Sequence, residues 1–445
     1  MSRRLALVVL LVVGGVLGTP SWAQVGAEQS PDWVAENYPD GLPKYLTPEE
    51  ALIPFETPSR EDFIYRAPPT GAVYCPSEYD PQQGLFMSWE AYTDILTTMT
   101  VNITTLDPTA IVYMVVDTAS EQTSVTSTLT AAGADMTQVR FLVRTTDTVW
   151  IRDYGPRFIF ENRRRAIIDH TYNRPRPNDN LLNDYISAQW GETQYDIPLT
   201  HGGGNFHLFA DRDAFMTTLI LDENPGLTAQ NVIDLYHQYQ NLNLTIFNRF
   251  PSSYDSTGHI DMWMLPVANK KVIIGQYPSS AGTPYTITEN AVTTLTARGY
   301  TVYRTPGWNS GGTHYTYTNA VVINDLVLVP RFGGSYTSQD AQALAVFQTA
   351  FPGYTLIQVN CASIIGAAGA MHCIVMHVPK YPVPGDLSHD GDVTIADYPT
   401  FQQCLAGPDV TTPPSGCDAY DFLMADLDRD GDVDLEDWAE FVLLF

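Results

Sequence analysis

The stretch TVWIRDYGPRFIF, Thr148–Phe160, makes two conflicting demands on the chain. Trp150, Ile151, Phe158, Ile159 and Phe160 read as buried strand, yet Arg152 and Asp153 stand inside the run and Tyr154-Gly155-Pro156 interrupts it. A carboxylate in such surroundings costs free energy unless it is paired or kept for a ligand. Outward from this stretch, between Tyr74 and Pro379, β-type runs such as AIVYMVV, VRFLV, KVIIGQY and AVVINDLVLVPR alternate with helix-like segments such as NAVTTLTARG and ALAVFQTAF. That alternation predicts an α/β domain over residues 72–380, long enough to bury a large core. Internal repeats are not visible in it.

The ends differ in kind. Arg3-Arg4, an apolar run from Leu5 to Leu17 and the small-x-small triplet Ser21-Trp22-Ala23 read as a signal peptide over residues 1–23, with Gln24 opening the mature chain. The protein is therefore expected to be secreted, with no transmembrane segment, because no later run reaches the length of a spanning helix. Residues 24–71, rich in Pro and acids, read as an extended N-terminal segment. The net charge of −27 disfavours nucleic acid and anionic membranes as partners. It is also uneven: residues 386–445 hold 15 acids and one Arg, or −14, which leaves −13 for everything before.

This acidic tail follows a Pro-rich linker, residues 381–385. It holds two loops, Asp386, Ser388, Asp390, Asp392, Thr394, Asp397 and Asp426, Asp428, Asp430, Asp432, Asp434, Asp437, with oxygen-bearing residues at positions 1, 3, 5, 7, 9 and 12 around Gly391 and Gly431. Such spacing suits Ca²⁺, although Asp at position 12 reaches less far than the usual Glu. The tail, residues 386–445, resembles a type I dockerin. The resemblance implies a small all-α, EF-hand-type calcium module, and as its partner a cohesin-like domain or a cell-surface receptor. Of the five cysteines, Cys404 and Cys417 flank the insert between the loops and are expected to pair. An odd count in an oxidising compartment leaves at least one free thiol.

Four segments carry candidate chemistry: Trp150-Ile-Arg152-Asp153, Gly258-His259-Ile-Asp261, Tyr317-Thr-Asn319-Ala and Gly369-Ala-Met-His372-Cys373. Each alone has an ordinary explanation, as a turn former, a core histidine or an inert buried thiol. If His259-x-Asp261 lies on a strand, both side chains share one face. A cysteine, a histidine and two carboxylates together match attack on the carbon of a guanidinium, whose planar cation two carboxylates can grip.

With YCPSEYDPQQGLFMSW, WIRDYGP, GGGNFHLF, GHIDMW, YTNAVVIN and GAMHCIVMHVP in this order, the chain resembles the agmatine deiminase and bacterial peptidylarginine deiminase family. The resemblance implies a five-bladed α/β propeller, the guanidine-modifying enzyme fold, with the site on its axis. It implies Cys373 as nucleophile, His259 as acid and base, Asp153 and Asp261 as guanidinium ligands, Asn319 as a further active-site residue and Trp150 in the substrate-binding set. No cofactor is implied for catalysis. Cys75–Cys361 is conceivable as a second disulfide.

Arg174 and Arg176 in YNRPRPND occupy the region where bacterial peptidylarginine deiminase has an Arg-x-Arg pair that clamps a peptide's C-terminal carboxylate. Gly202 stands where agmatine deiminases have Glu. These features favour an arginine-containing peptide or protein as substrate, with C-terminal arginine preferred. Agmatine or free arginine is the alternative, and a non-catalytic adhesion or scaffold protein is the alternative of another class.

Overall fold

A computed structural model describes residues 34, 36–53 and 67–444, so the signal-peptide reading of residues 1–23 lies outside the described residues. Gly41–Phe445 form one compact unit and the residues up to Asp40 another. In the smaller unit the described residues include a helical turn closed by Tyr38 N–H on the Val34 carbonyl.

Among the described residues the larger unit holds five sheets of three or four strands. Each is built on one plan: an antiparallel hairpin, then a helix that carries the chain back to a parallel strand. Arg157–Glu161 pairs with Arg164–Tyr172, and helix Leu182–Trp190 leads to Thr193–His201. His207–Leu208 and Asp213–Thr217 are followed by helix Ala229–Gln240 and strand Asn243–Phe247. Met264–Ala268 and Lys271–Gln276 lead through Thr283–Ala297 to Thr301–Ser310. Val321–Ile323 and Leu326–Arg331 lead through Thr337–Ala350 to Thr355–Asn360. In the fifth sheet the late strand Met376–Pro379 takes the first hairpin position beside Gln82–Ser88, and helix Thr93–Leu106 leads on to Ile111–Val116. A parallel pair needs such a crossover, and helices on the sheet faces explain the continuous apolar runs.

The sheet count agrees with the expected five blades, and the five-fold repeat is real although the sequence conceals it. What recurs is the order of elements, not residue identity.

Two local expectations are corrected. Ile151–Tyr154 is a single helical turn rather than strand, and the strand begins only at Arg157. His259 is not on a strand either: it caps the 3₁₀ turn Ile260–Met262. Both segments are too short for a helical period to register.

The tail forms three short helices, Tyr398–Cys404, Ala419–Ala425 and Leu435–Val442, with Cys404 and Cys417 disulfide-bonded. Cys75 and Cys361 are not paired: both are buried free thiols, as is Cys373. The tail does not stand apart from the α/β body. Leu387, Phe401, Tyr420 and Phe441 share one apolar cluster with Tyr74 and Phe160 of the body. Arg212 bridges to Asp418 and Asp421 at 2.8 and 3.0 Å, and His389 stacks on Tyr74 with ring centroids 4.0 Å apart.

Candidate active site

The segment that enters each hairpin carries a candidate residue, and these five segments come together. Asp153 precedes the strand at Arg157, Gly203–Asn205 the one at His207, His259 and Asp261 the one at Met264, Asn319 the one at Val321, and His372-Cys373 the one at Met376. One position in a repeated unit thus supplies one element of a shared site five times over.

Cys373 lies at its centre, fully buried. Its Sγ accepts from Asn319 Nδ2 at 3.0 Å and donates to Asp261 Oδ2 at 3.3 Å. Asn319 is fixed in turn, because its Oδ1 accepts the backbone N–H groups of Ala370 and Cys373. Burial, then the Asp261 carboxylate, pushes the Cys373 thiol up to about 12 against the opposing pull of Lys44. Cys75 and Cys361 are also raised to about 12 by burial.

Asp153 and Asp261 are both buried beside one cation. The Lys44 ammonium stands 3.6 Å from Asp153 Oδ1, 3.5 Å from Asp261 Oδ2 and 2.8 Å from Cys373 Sγ. Gly204 N–H also donates to Asp153 Oδ1, at 3.0 Å. Asp153 Oδ2 and Asp261 Oδ1 are buried without any hydrogen bond, as are both ring nitrogens of His259. Unspent acceptors at this depth are expensive, so they point to a donor that the fold itself does not supply. Burial alone would raise Asp261, but Lys44 and the His372 ring hold it far below the usual carboxylate range. Burial, then the Lys44 charge, lowers His259 to about 4. Its Nδ1 is 3.6 Å from Asp153 Oδ1.

Two glycines are explained by space. A Cβ on Gly204 would stand 2.7 Å from His259 Nδ1, 2.8 Å from Lys44 Nζ and 2.9 Å from Asp153 Oδ1. A Cβ on Gly369 would meet the Trp150 ring at 2.6 Å and Cys373 Sγ at 3.1 Å. Any side chain at either position would fill the reaction space.

A supporting chain lies behind Asp261. Its Oδ2 is 3.0 Å from His372 Nδ1, whose Nε2 is 2.9 Å from Glu78, which takes Arg152 at 2.7 Å. Arg152 is thereby explained as a buried positioning cation. His372, Glu78 and Lys44 were not singled out as site residues from sequence. For His372 the signal was its adjacency to Cys373; for Lys44 there was none.

Trp150, Arg174 and Arg176 hold the chain's own N-terminal segment. Trp150 Nε1 donates to the Leu42 carbonyl at 2.7 Å and Arg174 Nε to the Lys44 carbonyl at 3.1 Å. Arg176 reaches Glu50 at 2.7 Å and the Pro43 carbonyl at 2.7 Å.

In the tail, each position-12 aspartate folds its loop. Asp397 Oδ1 accepts Leu387 and Ser388 N–H, and Asp437 Oδ1 accepts Leu427 and Asp428 N–H in the same pattern. Asp426, Asp428 and Asp430 bring oxygens within 4.8 Å of one another, and so do Asp432, Asp434 and Asp437. Asp426 Oδ1 and Asp432 Oδ1 are buried and unbonded. This oxygen set fits a hard cation. Among the described residues no trio in the first loop gathers as closely.

The model of the Porphyromonas-type peptidyl-arginine deiminase family matches residues 74–379. A putative agmatine deiminase of Legionella pneumophila is 26% identical over 345 residues, spanning 71% of this chain and 97% of that protein. Among solved structures, a putative arginine deiminase from Porphyromonas gingivalis matches with a TM-score of 0.60 at 19% identity, covering 69% of this chain and 98% of that one. The agmatine deiminase of Enterococcus faecalis matches with a TM-score of 0.60 at 19% identity, over 71% and 100%. At such identities the structural likeness speaks for the fold alone.

Proposed function

The chain belongs to the Porphyromonas-type peptidyl-arginine deiminase family, and we propose that it hydrolyses the guanidinium of an arginine compound to a ureido group and ammonia, with Cys373 as nucleophile. The observation that carries this reading is the pair of buried carboxylates facing one cation, with a thiol 2.8 Å from that cation.

A substrate guanidinium in place of the ammonium would offer N–H groups to the unspent Asp153 Oδ2 and Asp261 Oδ1. Cys373 Sγ then bonds to the guanidinium carbon, one C–N bond breaks and ammonia leaves with a proton, giving a thiouronium. His259 takes a proton from water, the water oxygen replaces sulfur on the carbon, and the thiol is restored. Overall one water enters and one ammonium leaves. Asn319 keeps Sγ in place, and the His372–Glu78 chain keeps Asp261 in place.

Two substrates have specific support. The names of the curated relatives favour agmatine. The contacts of Trp150, Arg174 and Arg176 favour an arginine carried by a peptide, because these side chains already hold polypeptide carbonyls. Measuring ureido product from agmatine, arginine, benzoyl-arginine and a C-terminal arginine peptide side by side decides. Faster turnover of agmatine sinks the peptide reading, and no ammonia from any of them sinks the deiminase reading.

The same proposal includes Ca²⁺ in the tail, held first by the second loop, and export directed by residues 1–23. The tail's role would be attachment, to a cohesin-like or cell-surface partner.

A further inference from the structure

The cation between the catalytic acids belongs to the protein itself. Lys44 is fully buried, and it enters the site from a chain that continues on both sides. Its backbone is held like that of a bound peptide. Lys44 N–H donates to the Ala367 carbonyl at 3.1 Å, and the carbonyls of Leu42, Pro43 and Lys44 accept from Trp150, Arg176 and Arg174. Beyond it, Arg176 Nε bonds Glu50 Oε1 at 2.7 Å and its terminal nitrogen Glu50 Oε2 at 3.2 Å, a bidentate clamp on a carboxylate. Thr47 and Glu50 cap each other's N–H, which sets that carboxylate in position. At the other end Gly41 has φ +83° and lies so close to Ala91 that a Cβ would stand 2.6 Å from the Ala91 Cβ.

These contacts form one pattern. A side-chain cation meets Asp153, Asp261 and Cys373, main-chain carbonyls meet Trp150, Arg174 and Arg176, and a carboxylate meets Arg176. Lysine provides the charge without a guanidinium carbon, so the thiol has nothing to attack.

We propose that Gly41–Leu52 is a tethered pseudosubstrate that occupies the catalytic pocket and keeps the enzyme latent until the segment withdraws. It follows that the cleft accepts a basic residue inside a continuing chain, not only at a C-terminus. The latency rests on the deiminase reading, whereas the binding pattern does not. A tethered competitor acts at an effective concentration far above that of a free ligand, so modest affinity suffices to close the site.

The competing explanation makes Lys44 a helper that stabilises the Cys373 thiolate, and the two predict opposite signs. In the full-length protein, K44A is expected to raise kcat/KM for a small guanidine substrate by about tenfold or more. An unchanged or lower value overturns the proposal. K44R is expected to convert its own residue 44 to citrulline: Sγ bonds to the guanidinium carbon, ammonia leaves, water replaces sulfur, and mass spectrometry reads the product. The double variant K44R/C373A should remain unmodified. An intact side chain at residue 44 in active K44R counts against the proposal.

If K44A folds poorly, E50Q decides by the same readout, with a rise of about two- to threefold expected and none counting against. A peptide of sequence GLPKYLTPEEAL, residues 41–52, should inhibit K44A, whereas the same peptide with norleucine for lysine should not. Should no variant hydrolyse any guanidine, the deiminase reading falls. Fluorescence anisotropy of the labelled peptide on K44A then tests the pseudosubstrate alone: binding abolished by D261N supports it, and no binding overturns it.

Discussion

The protein carries negative charge in two ways. In the α/β body Asp153 and Asp261 are sealed from water and aimed at one cation. In the tail, Asp428 and Asp430 are exposed and held in place chiefly by backbone N–H groups. Buried acids cost several kcal/mol unless a specific partner compensates them, so they discriminate among cations by shape. Exposed acids cost little and select by charge and oxygen count. On the proposed reading the body takes a planar organic cation and the tail a spherical one.

The contrast is sharpest at Cys373, where the largest effect is expected. C373A should lower ammonia release from any guanidine substrate by more than about a thousandfold. Thermal melting should change by only a few degrees, because the sulfur is small and Asn319 retains its two backbone donors. A residual rate within about tenfold of wild type would remove the thiol from the reaction.

Next in size is the link between the acids and their support. His372 bonds Asp261 and Glu78 and acts through them, so it is a positioning residue. H372Q is expected to lower kcat/KM about tenfold and to move the acidic limb of the pH–rate profile, because the bond that holds Asp261 changes. A loss of stability with an unmoved pH profile would make it merely structural.

Taken singly, Asp153, His259, Asp261, Asn319 and Cys373 each have an ordinary explanation in the sequence; the ordered motifs of the family resemblance picked them out, and the fold brings them together. The one-turn helix at Ile151–Tyr154 and the 3₁₀ turn at Ile260–Met262 were not legible, since neither is long enough to display a period. The five-fold repeat escaped because its units share pairing order while their side chains adapt to separate neighbours. Lys44 was invisible for a different reason. A lysine in a Pro- and Glu-rich stretch has the composition of a solvated segment, and only the third dimension brings Asp153 and Asp261 to it.

A third test concerns the body as a whole. Burial is the first cause lowering His170, His201, His207, His259 and His377 from the ordinary histidine value, to about 4 for His170 and His259 and about 3 for His207 and His377. In each case the unfolded state binds a proton that the folded state refuses. The stability they contribute is therefore fully present above the unfolded value, near pH 6.5, and is lost as pH falls toward 4. Glu90, Asp169 and Glu223, raised by burial to about 9, 7 and 7, gain stability over the same fall, so the histidine share is read as a difference. H207Q should lose less melting temperature than wild type between pH 7 and pH 5, and an equal loss would mean that this ring reaches water. The tail has His389 raised instead, beside Asp421, so its docking should survive the same acidification longer.

The smallest effect is expected in the tail, where the two loops can be compared with each other. Both use the position-12 aspartate to fix the backbone, but only the second gathers acidic trios and leaves Asp426 Oδ1 and Asp432 Oδ1 buried and unspent. The second loop should therefore take Ca²⁺ first. In calorimetric titrations of the full-length protein after chelation, D426N is expected to weaken the tighter binding event by about tenfold, and D386N to leave it unchanged. Because Phe401, Tyr420 and Phe441 anchor the tail on Tyr74 and Phe160, loading the loops should raise the tail's resistance to proteolysis without altering turnover at Cys373. Turnover that follows Ca²⁺ would contradict the separation of the two sites, since it would require the tail's acids to act on those of the α/β body.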